Sequence, residues 1–370
     1  MMISPPASPH THGNNSVGKI MLLVWLALLP ASLMGIYTFG WPAFNLLIIT
    51  TVAALAAEAW SLRMAGQPIK LTLGDGSALL TGWLLAMTLP PWAPWWIAVV
   101  GALFAILVGK QVFGGIGQNL FNPAMLGRVV LLIAFPLEMT TWVAPTLITS
   151  PEAPGFIDAL AITFMGSAQI DSLSGATILG HVKTELSLGH AMETILPTVY
   201  SSGSAGIGSI RGSLGETSAL LLLIGGLFLI GMRVISWHIP VAMLATLGGL
   251  AMVMNLINPD HYVGAPVHLL SGGAMLGAFF IATDPVGSPS TIRGQLIFGA
   301  GCGALIYIIR TWAGFPEGVA FAVLLMNAAT PLIDHYVRPR IYGRSSNGTP
   351  LNYQKGQLAR RLSNLQGEDK

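Results

Sequence analysis

Long apolar runs, separated by short polar breaks or by breaks rich in glycine and proline, organise this chain. A helix that crosses a bilayer takes about 20 apolar residues at a rise of about 1.5 Å each. Runs of this kind predict ten candidate spans, near 20–40, 42–62, 76–90, 95–112, 123–136, 218–235, 238–257, 266–282, 296–312 and 318–334. Those near 76–90 and 123–136 are short for a full crossing. They read as broken or partly re-entrant helices, tolerated at membrane depth only where protein satisfies the free backbone groups.

Composition supports the same class. Charged residues are 9% of the 370, hydrophobic residues are 53%, and the mean hydropathy is +0.69. A soluble domain carries roughly 25% charge, so this chain cannot coat a soluble surface. A soluble globular, disordered or fibrous protein is excluded, and an all-α polytopic membrane protein remains. The single cysteine, Cys302, excludes a disulfide framework and a resident iron–sulfur cluster. The net charge of +2 is too small to argue for nucleic acid. The first eighteen residues lack the short apolar core and small-residue cleavage site of a signal peptide.

Lysine and arginine set the orientation. With the N-terminus in the cytoplasm, all seventeen except Lys183, Arg211 and Arg310 fall on the cytoplasmic side. The expected organisation is a cytoplasmic N-terminus (1–19), a first membrane repeat (20–136), an extracytoplasmic loop (137–217), a second membrane repeat (218–335) and a basic cytoplasmic tail (336–370). A connection as long as 137–217 is usually functional.

The two membrane halves resemble each other. Trp41 matches Trp237, Ser77–Ala86 matches Gly273–Ala282, Thr88 and Pro90 match Thr283 and Pro285, and Lys110 matches Arg310. Five spans per half is an odd number, so the halves run in opposite senses. Inverted repeats with interrupted helices are the architecture of transporters and channels.

Ionisable groups at membrane depth mark function by default. Glu58 lies within an apolar run and is a candidate for an ion path. Asp284, before Pro285, either lines a site or caps a helix end. Lys110, Arg128 and Arg310 lie near span ends, where long side chains reach water. The stretch GGIGQNLFNPAM (114–125) cannot stay helical, and it frees N–H groups beside Asn119 and Asn122, where an anionic ligand can dock. Gly299 to Gly303 imitates a dinucleotide fingerprint but lies inside an apolar span, so close helix packing is the expectation. The chain carries no Walker A loop, zinc pattern or HExxH motif. The long loop contains Ser174-Gly175-Ala176-Thr177, small residues that let a bulky phosphate approach the backbone. By itself this is an ordinary loop tetrapeptide.

The segments DGSALLTGWLLAMTLPP, KQVFGGIGQNLFNPAM, SWHIP, HLLSGGAMLGAFFIATDPV and PEGVAFAVLLMN resemble the RnfD (RsxD) family of membrane proteins from Rnf electron transport complexes. They resemble more distantly the NqrB protein of the sodium-pumping NADH:quinone reductase. The resemblance runs from the N-terminus to about residue 343. It implies a urea-transporter-like fold of about ten helices in two inverted five-helix repeats. It also implies a component of a redox-driven translocase that couples electron transfer between ferredoxin and NAD to ion movement and is not catalytic alone. FMN would be joined through its phosphate to Thr177 by a flavin transferase, with Ser174, Gly175 and Ala176 as recognition positions. Ile178 stands where many relatives carry proline. A second, non-covalent flavin (riboflavin) would lie near Asn119, Asn122 and Asp284. The implied partners are the A, B, C, E and G components of the Rnf/Rsx complex together with membrane lipid. The implied location is a bacterial inner membrane, with the flavin loop periplasmic. A passive channel or solute transporter on the same repeat is the alternative.

Overall fold

A computed structural model describes residues 16–166, 174–190, 192, 194–195, 210–315, 317–339, 344 and 349. The expectations for residues 1–15 and for most of the basic tail lie outside the described residues.

Among the described residues six helices are long and apolar enough to cross a membrane. They are α1 (Val17–Phe39), α2 (Trp41–Met64), α4 (Trp95–Leu103, extended by a wider π-helical turn over Phe104–Val108), α9 (His238–Ile257), α12 (Ile292–Trp312) and α13 (Val319–Tyr336). Four shorter apolar helices lie among the described residues, and three of them occupy expected spans: α3 (Ser77–Thr88), α5 (Pro123–Ala134) and α8 (Ala219–Gly231).

The remaining apolar segment is broken. It forms α10 (Ala265–Leu270) and then α11 (Ala274–Leu276), which runs on into a π-helical turn over Gly277–Ile281. The break falls at Gly272, whose φ of 69° suits glycine, and a Cβ there would collide with the Glu317 carboxylate. The spans expected near 218–235 and 266–282 are therefore shorter than their apolar runs. In the first, Arg233 leaves the helix at a φ of 56°.

Lipid gives helices no hydrophobic reason to associate, so small residues that allow close backbone approach hold the bundle together. A Cβ on Gly82 of α3 would lie 2.8 Å from the Ala54 Cβ and 2.9 Å from the Thr51 Cα of α2. One on Gly299 of α12 would lie 2.6 Å from the Ile239 carbonyl of α9, and Gly303 meets the Met243 carbonyl one turn on. The Gly299–Gly303 stretch is thus a packing seam. Trp83 Nε1 donates to Ser32 Oγ at 2.8 Å, and Trp92 Nε1 donates to the Phe39 carbonyl at 3.0 Å, tying α3 and its exit to α1.

The long connection is not featureless. A two-residue antiparallel pairing joins β1 (Trp142–Val143) to β2 (Ser174–Gly175), with Trp142 opposite Gly175 and Val143 opposite Ser174. Helix α6 (Phe156–Met165) packs on α2, where Asn45 Nδ2 donates to Thr163 Oγ1 at 3.5 Å. Helix α7 (Ile178–Ser187) turns Ile178, Leu179 and Val182 inward, into a small apolar cluster with Ile210, Val263 and Val267. That cluster fixes α7 against the entrance to α10.

Candidate functional site

Thr177 sits at the joint between β2 and α7. Its backbone is extended (φ −63°, ψ 164°) and its Oγ1 accepts from the Gly180 N–H at 3.2 Å, which makes it the N-cap of the ten-residue α7. The buried Ile178 and Leu179 hold the helix down while Ala176 stays exposed. Ser174 and Gly175 are committed through their backbones to the pairing with β1. A Cβ on Gly175 would collide with the Arg211 guanidinium, which lies over it. Among the described residues Arg211 has no hydrogen-bond or ion-pair partner. One turn into α7, Lys183 Nζ donates to the carbonyls of Arg310 (3.2 Å) and Ala313. Burial lowers the pKa of this ammonium.

Two clefts meet at Thr177. The more open one, of about 840 Å³, runs between Thr177, Trp142, Thr140, Lys183 and Gly314. The tighter one, of about 320 Å³, runs inward past Arg211 to Glu216, Ser271 and Glu317.

Two carboxyls, Glu216 and Glu317, line the floor of the tighter cleft, and Arg128 and Arg310 lie close to them. Arg128 of α5 donates from Nη1 to the Thr88 carbonyl, at the C-terminal end of α3, and its guanidinium lies 5.8 Å from the Trp142 ring. Arg310 of α12 donates to the carbonyls of His268 (2.6 Å) and Ser271 (3.2 Å), and from Nη2 to both oxygens of Glu317 (3.1 and 3.0 Å). Glu317 also accepts from the N–H groups of Gly273 (3.0 Å), Gly318 (2.9 Å) and Val319 (3.1 Å), so it caps the N-terminal ends of α11 and α13 together. Glu216, in a short 3-10 turn (Leu214–Glu216) ahead of α8, accepts from the Ser213 hydroxyl at 2.8 Å and from no other donor among the described residues.

The two carboxyls differ accordingly. Burial and the charge of Glu317 raise Glu216 to about 7. Burial acts on Glu317 in the same direction, but Arg310 and the backbone donors overcome it and hold Glu317 low.

A second cavity, of about 940 Å³, opens at the other end of α1. It brings together three sequence-predicted residues that are distant in the chain: Asn119, Asn122 and Asp284. Asn122 caps α5, its Oδ1 accepting from the N–H groups of Ala124 (3.1 Å) and Met125 (3.3 Å). Asn119 Nδ2 donates to the Phe121 carbonyl at 3.0 Å. Asp284 Oδ1 accepts from the Val286 N–H at 3.2 Å and stabilises the turn beyond the Gly277–Ile281 segment. Burial raises the Asp284 carboxyl to about 6, against the opposing Val286 donor.

Phe279, Phe280 and Val24 give this cavity apolar walls, and Lys110 and Ser77 give it a polar corner. Lys110 Nζ reaches Glu58 Oε1 at 2.5 Å and Ser77 Oγ at 2.6 Å, while Gln111 Nε2 donates to the same Glu58 oxygen at 2.9 Å. Glu58 Oε2 is buried with no partner among the described residues. Met21 lines this cavity, and Gly35, fourteen residues along α1, packs on Leu214 beside Glu216. At about 1.5 Å per residue the two regions lie roughly 20 Å apart.

The sequence did not single out Glu216, Glu317 or Arg211. Glu216 and Glu317 each stand immediately before an apolar run, where an acid commonly serves only the helix dipole. The one usable signal was that both flank membrane segments close to interrupted ones.

Residues 5–343 match the sequence profile of the NQR2, RnfD, RnfE family. The chain is 58% identical over 337 residues to the D component of the ion-translocating oxidoreductase complex of Stutzerimonas stutzeri, covering 91% of this chain and 95% of that one. It is 55% identical to the corresponding protein of Halorhodospira halophila (94% and 97% covered) and 46% identical to that of Escherichia coli (93% and 99% covered).

Proposed function

The chain belongs to the NQR2, RnfD, RnfE family, and on that premise we propose that it is the flavin-bearing membrane component of a redox-driven ion-translocating complex. It is a part of the translocase and not an enzyme by itself. Thr177 carries FMN through a phosphoester, attached by a flavin transferase. The observation that supports this most is that Thr177 presents its hydroxyl at the N-terminal end of an anchored helix, at the mouth of two clefts, beside a guanidinium with no other partner among the described residues.

The residues present fit the group. A phosphate on Thr177 Oγ1 meets the first N–H groups of α7 and the Arg211 guanidinium, with Lys183 one turn away. Gly175 leaves the space that Arg211 occupies. Trp142 and the 840 Å³ cleft offer a wall and room for a flat ring. When bound, the flavin supplies one- and two-electron chemistry, and the protein sets its position and surroundings.

In this reading the four shorter apolar segments complete the six long helices to ten crossings in two inverted five-helix repeats, with a urea-transporter-like fold. Lys110 and Arg310 occupy matching places. Each lies at the end of a long segment and reaches a residue at or just before the start of a short one, Ser77 and Ser271. The termini are cytoplasmic and the Thr177 region lies on the periplasmic face of the inner membrane. The 940 Å³ cavity at Asn119, Asn122 and Asp284 takes a second, non-covalent flavin. The A, B, C, E and G components of the complex supply the centres that exchange electrons with ferredoxin and NAD.

The test is direct. Protein made with its flavin transferase gains the mass of one FMN ester and fluoresces under ultraviolet light on a denaturing gel. Thr177→Ala inserts in the membrane but gains neither signal. A wild-type chain of unmodified mass overturns the reading and favours a passive pore.

A further inference from the structure

Behind the inward cleft Arg128 and Arg310 balance Glu216 and Glu317 when all four are ionised. With Arg211 taken up by a phosphate at Thr177, a further negative charge there meets only Lys183, whose ammonium is committed to two carbonyls. Glu317 is locked: it takes two donations from Arg310 and one each from three backbone N–H groups. Among the described residues Glu216 has a single neutral donor, the Ser213 hydroxyl. Burial and the fixed charge of Glu317 raise Glu216 to about 7, so that near neutral pH it both holds and releases a proton.

The cleft also contains an unsatisfied group. Ser271 is 1% exposed, its Oγ has no hydrogen-bond partner among the described residues, and it lines the same space as Thr177 and Glu216. The charged groups facing Glu216 are Arg128 from α5, Arg310 from α12, Glu317 ahead of α13 and Arg211 on its own segment. Helices α1, α3 and α11 meet its turn through the uncharged Gly35, Met87 and Leu276.

We propose that Glu216 is the proton acceptor that balances electron arrival at the Thr177 site. One electron comes from a one-electron donor centre in a partner protein of the complex, and one proton comes from the aqueous side on which Thr177 lies. The proton travels along the cleft past Ser271 and forms an O–H bond on a Glu216 carboxylate oxygen. When the electron passes to the next centre, that O–H bond breaks and the proton leaves by the same opening. Glu216 is a charge-compensating residue and does not itself react with the cofactor. This inference rests on the flavin reading of Thr177.

The experiment has two arms. In the first, flavin-free Thr177→Ala protein in nanodiscs is titrated by infrared spectroscopy. A protonated-carboxyl band should vanish as pH rises through the neutral range, and it should be missing in the Thr177→Ala, Glu216→Gln double variant. In the second arm, the midpoint potential of the Thr177 flavin is measured against pH in the full complex. It should fall with rising pH in wild type across that same range and become independent of pH in Glu216→Gln.

If Glu216→Gln does not assemble, Glu216→Asp takes its place, and the pH at which the potential levels off should move. A pH dependence unchanged in either variant, or a carboxyl that does not titrate in the first arm, overturns the role of Glu216 with the flavin assignment intact. A titrating carboxyl in a wild-type chain that carries no flavin overturns the assignment itself and the coupling with it.

Discussion

Each end of the bundle holds a buried acid–base group beside an interrupted helix, and the two are built differently. At the inner cavity Lys110 is a compact point charge shared between Glu58 and Ser77, and it faces an opening of about 940 Å³. At the Thr177 end Arg310 is a fork. It holds both oxygens of Glu317 and two carbonyls at once, and its side chain is 1% exposed. Arginine presents several donors in a fixed plane, whereas lysine presents three on a flexible stem. The Arg310 pair therefore fixes geometry, and the Lys110 pair leaves an acid with one oxygen unsatisfied beside a cavity. The Thr177 end gains its adjustable charge from a third group, Glu216, outside the locked pair.

The largest effects should come from breaking the two pairs. Arg310→Leu leaves Glu317 buried without its cation and should cost about 3–5 kcal/mol. Lys110→Leu leaves Glu58, 0% exposed, with Gln111 as its remaining donor among the described residues, and should cost about 3–5 kcal/mol as well. Thermal unfolding of the two variants in nanodiscs measures both losses, and a loss well below that in Lys110→Leu would mark the Lys110 pair as the looser one.

Glycines test the same contrast at the backbone. Gly272→Ala must accept a φ of 69° and collide with Glu317, so about 1–3 kcal/mol should be lost. Gly114→Ala also carries a positive φ, 109°, but its nearest neighbour would be the flexible Gln118 side chain at 3.6 Å. It should lose about 1 kcal/mol. If Gly114→Ala were the more damaging, the inner loop would be the more rigid of the two.

A pH slope tests the third group. The Glu216 carboxyl is raised in the folded protein to about 7 from an ordinary value of 4.5. Between those values the folded chain binds more protons than the unfolded one, so stability declines as pH rises through that window. The melting temperature should drop between pH 5 and pH 8 in wild type. In Glu216→Gln the part above pH 6 should flatten, the part below it belonging to Asp284, which is raised to about 6. A slope above pH 6 that persists in Glu216→Gln would place that titrating group elsewhere.

The broad organisation was legible because it follows from solvent preference. Apolar runs located all six long helices, and the glycine–asparagine–proline stretch before α5 correctly marked an interruption. Helix α6 was not legible: its ten residues are too few for a span, and its environment comes from packing on α2. The broken α10–α11 segment read as one run, because Ser271-Gly272-Gly273 is short and the contact forbidding a side chain there comes from Glu317, over forty residues away. Thr177 was proposed through resemblance, and Asn119, Asn122 and Asp284 were singled out from local pattern and resemblance. The grouping of the last three in one cavity is a property of the fold.

By itself the sequence determined that this chain lives in a membrane, roughly where it crosses, and which family it joins, because hydropathy and motif identity are local quantities written residue by residue. Only the tertiary structure decided that Glu216 faces the Thr177 cleft, that Glu317 is locked and Glu216 is not, and that Lys110 and Arg310 serve their halves differently. Charge balance and hydrogen-bond satisfaction depend on which groups meet in three dimensions, and those partners lie far apart along the chain.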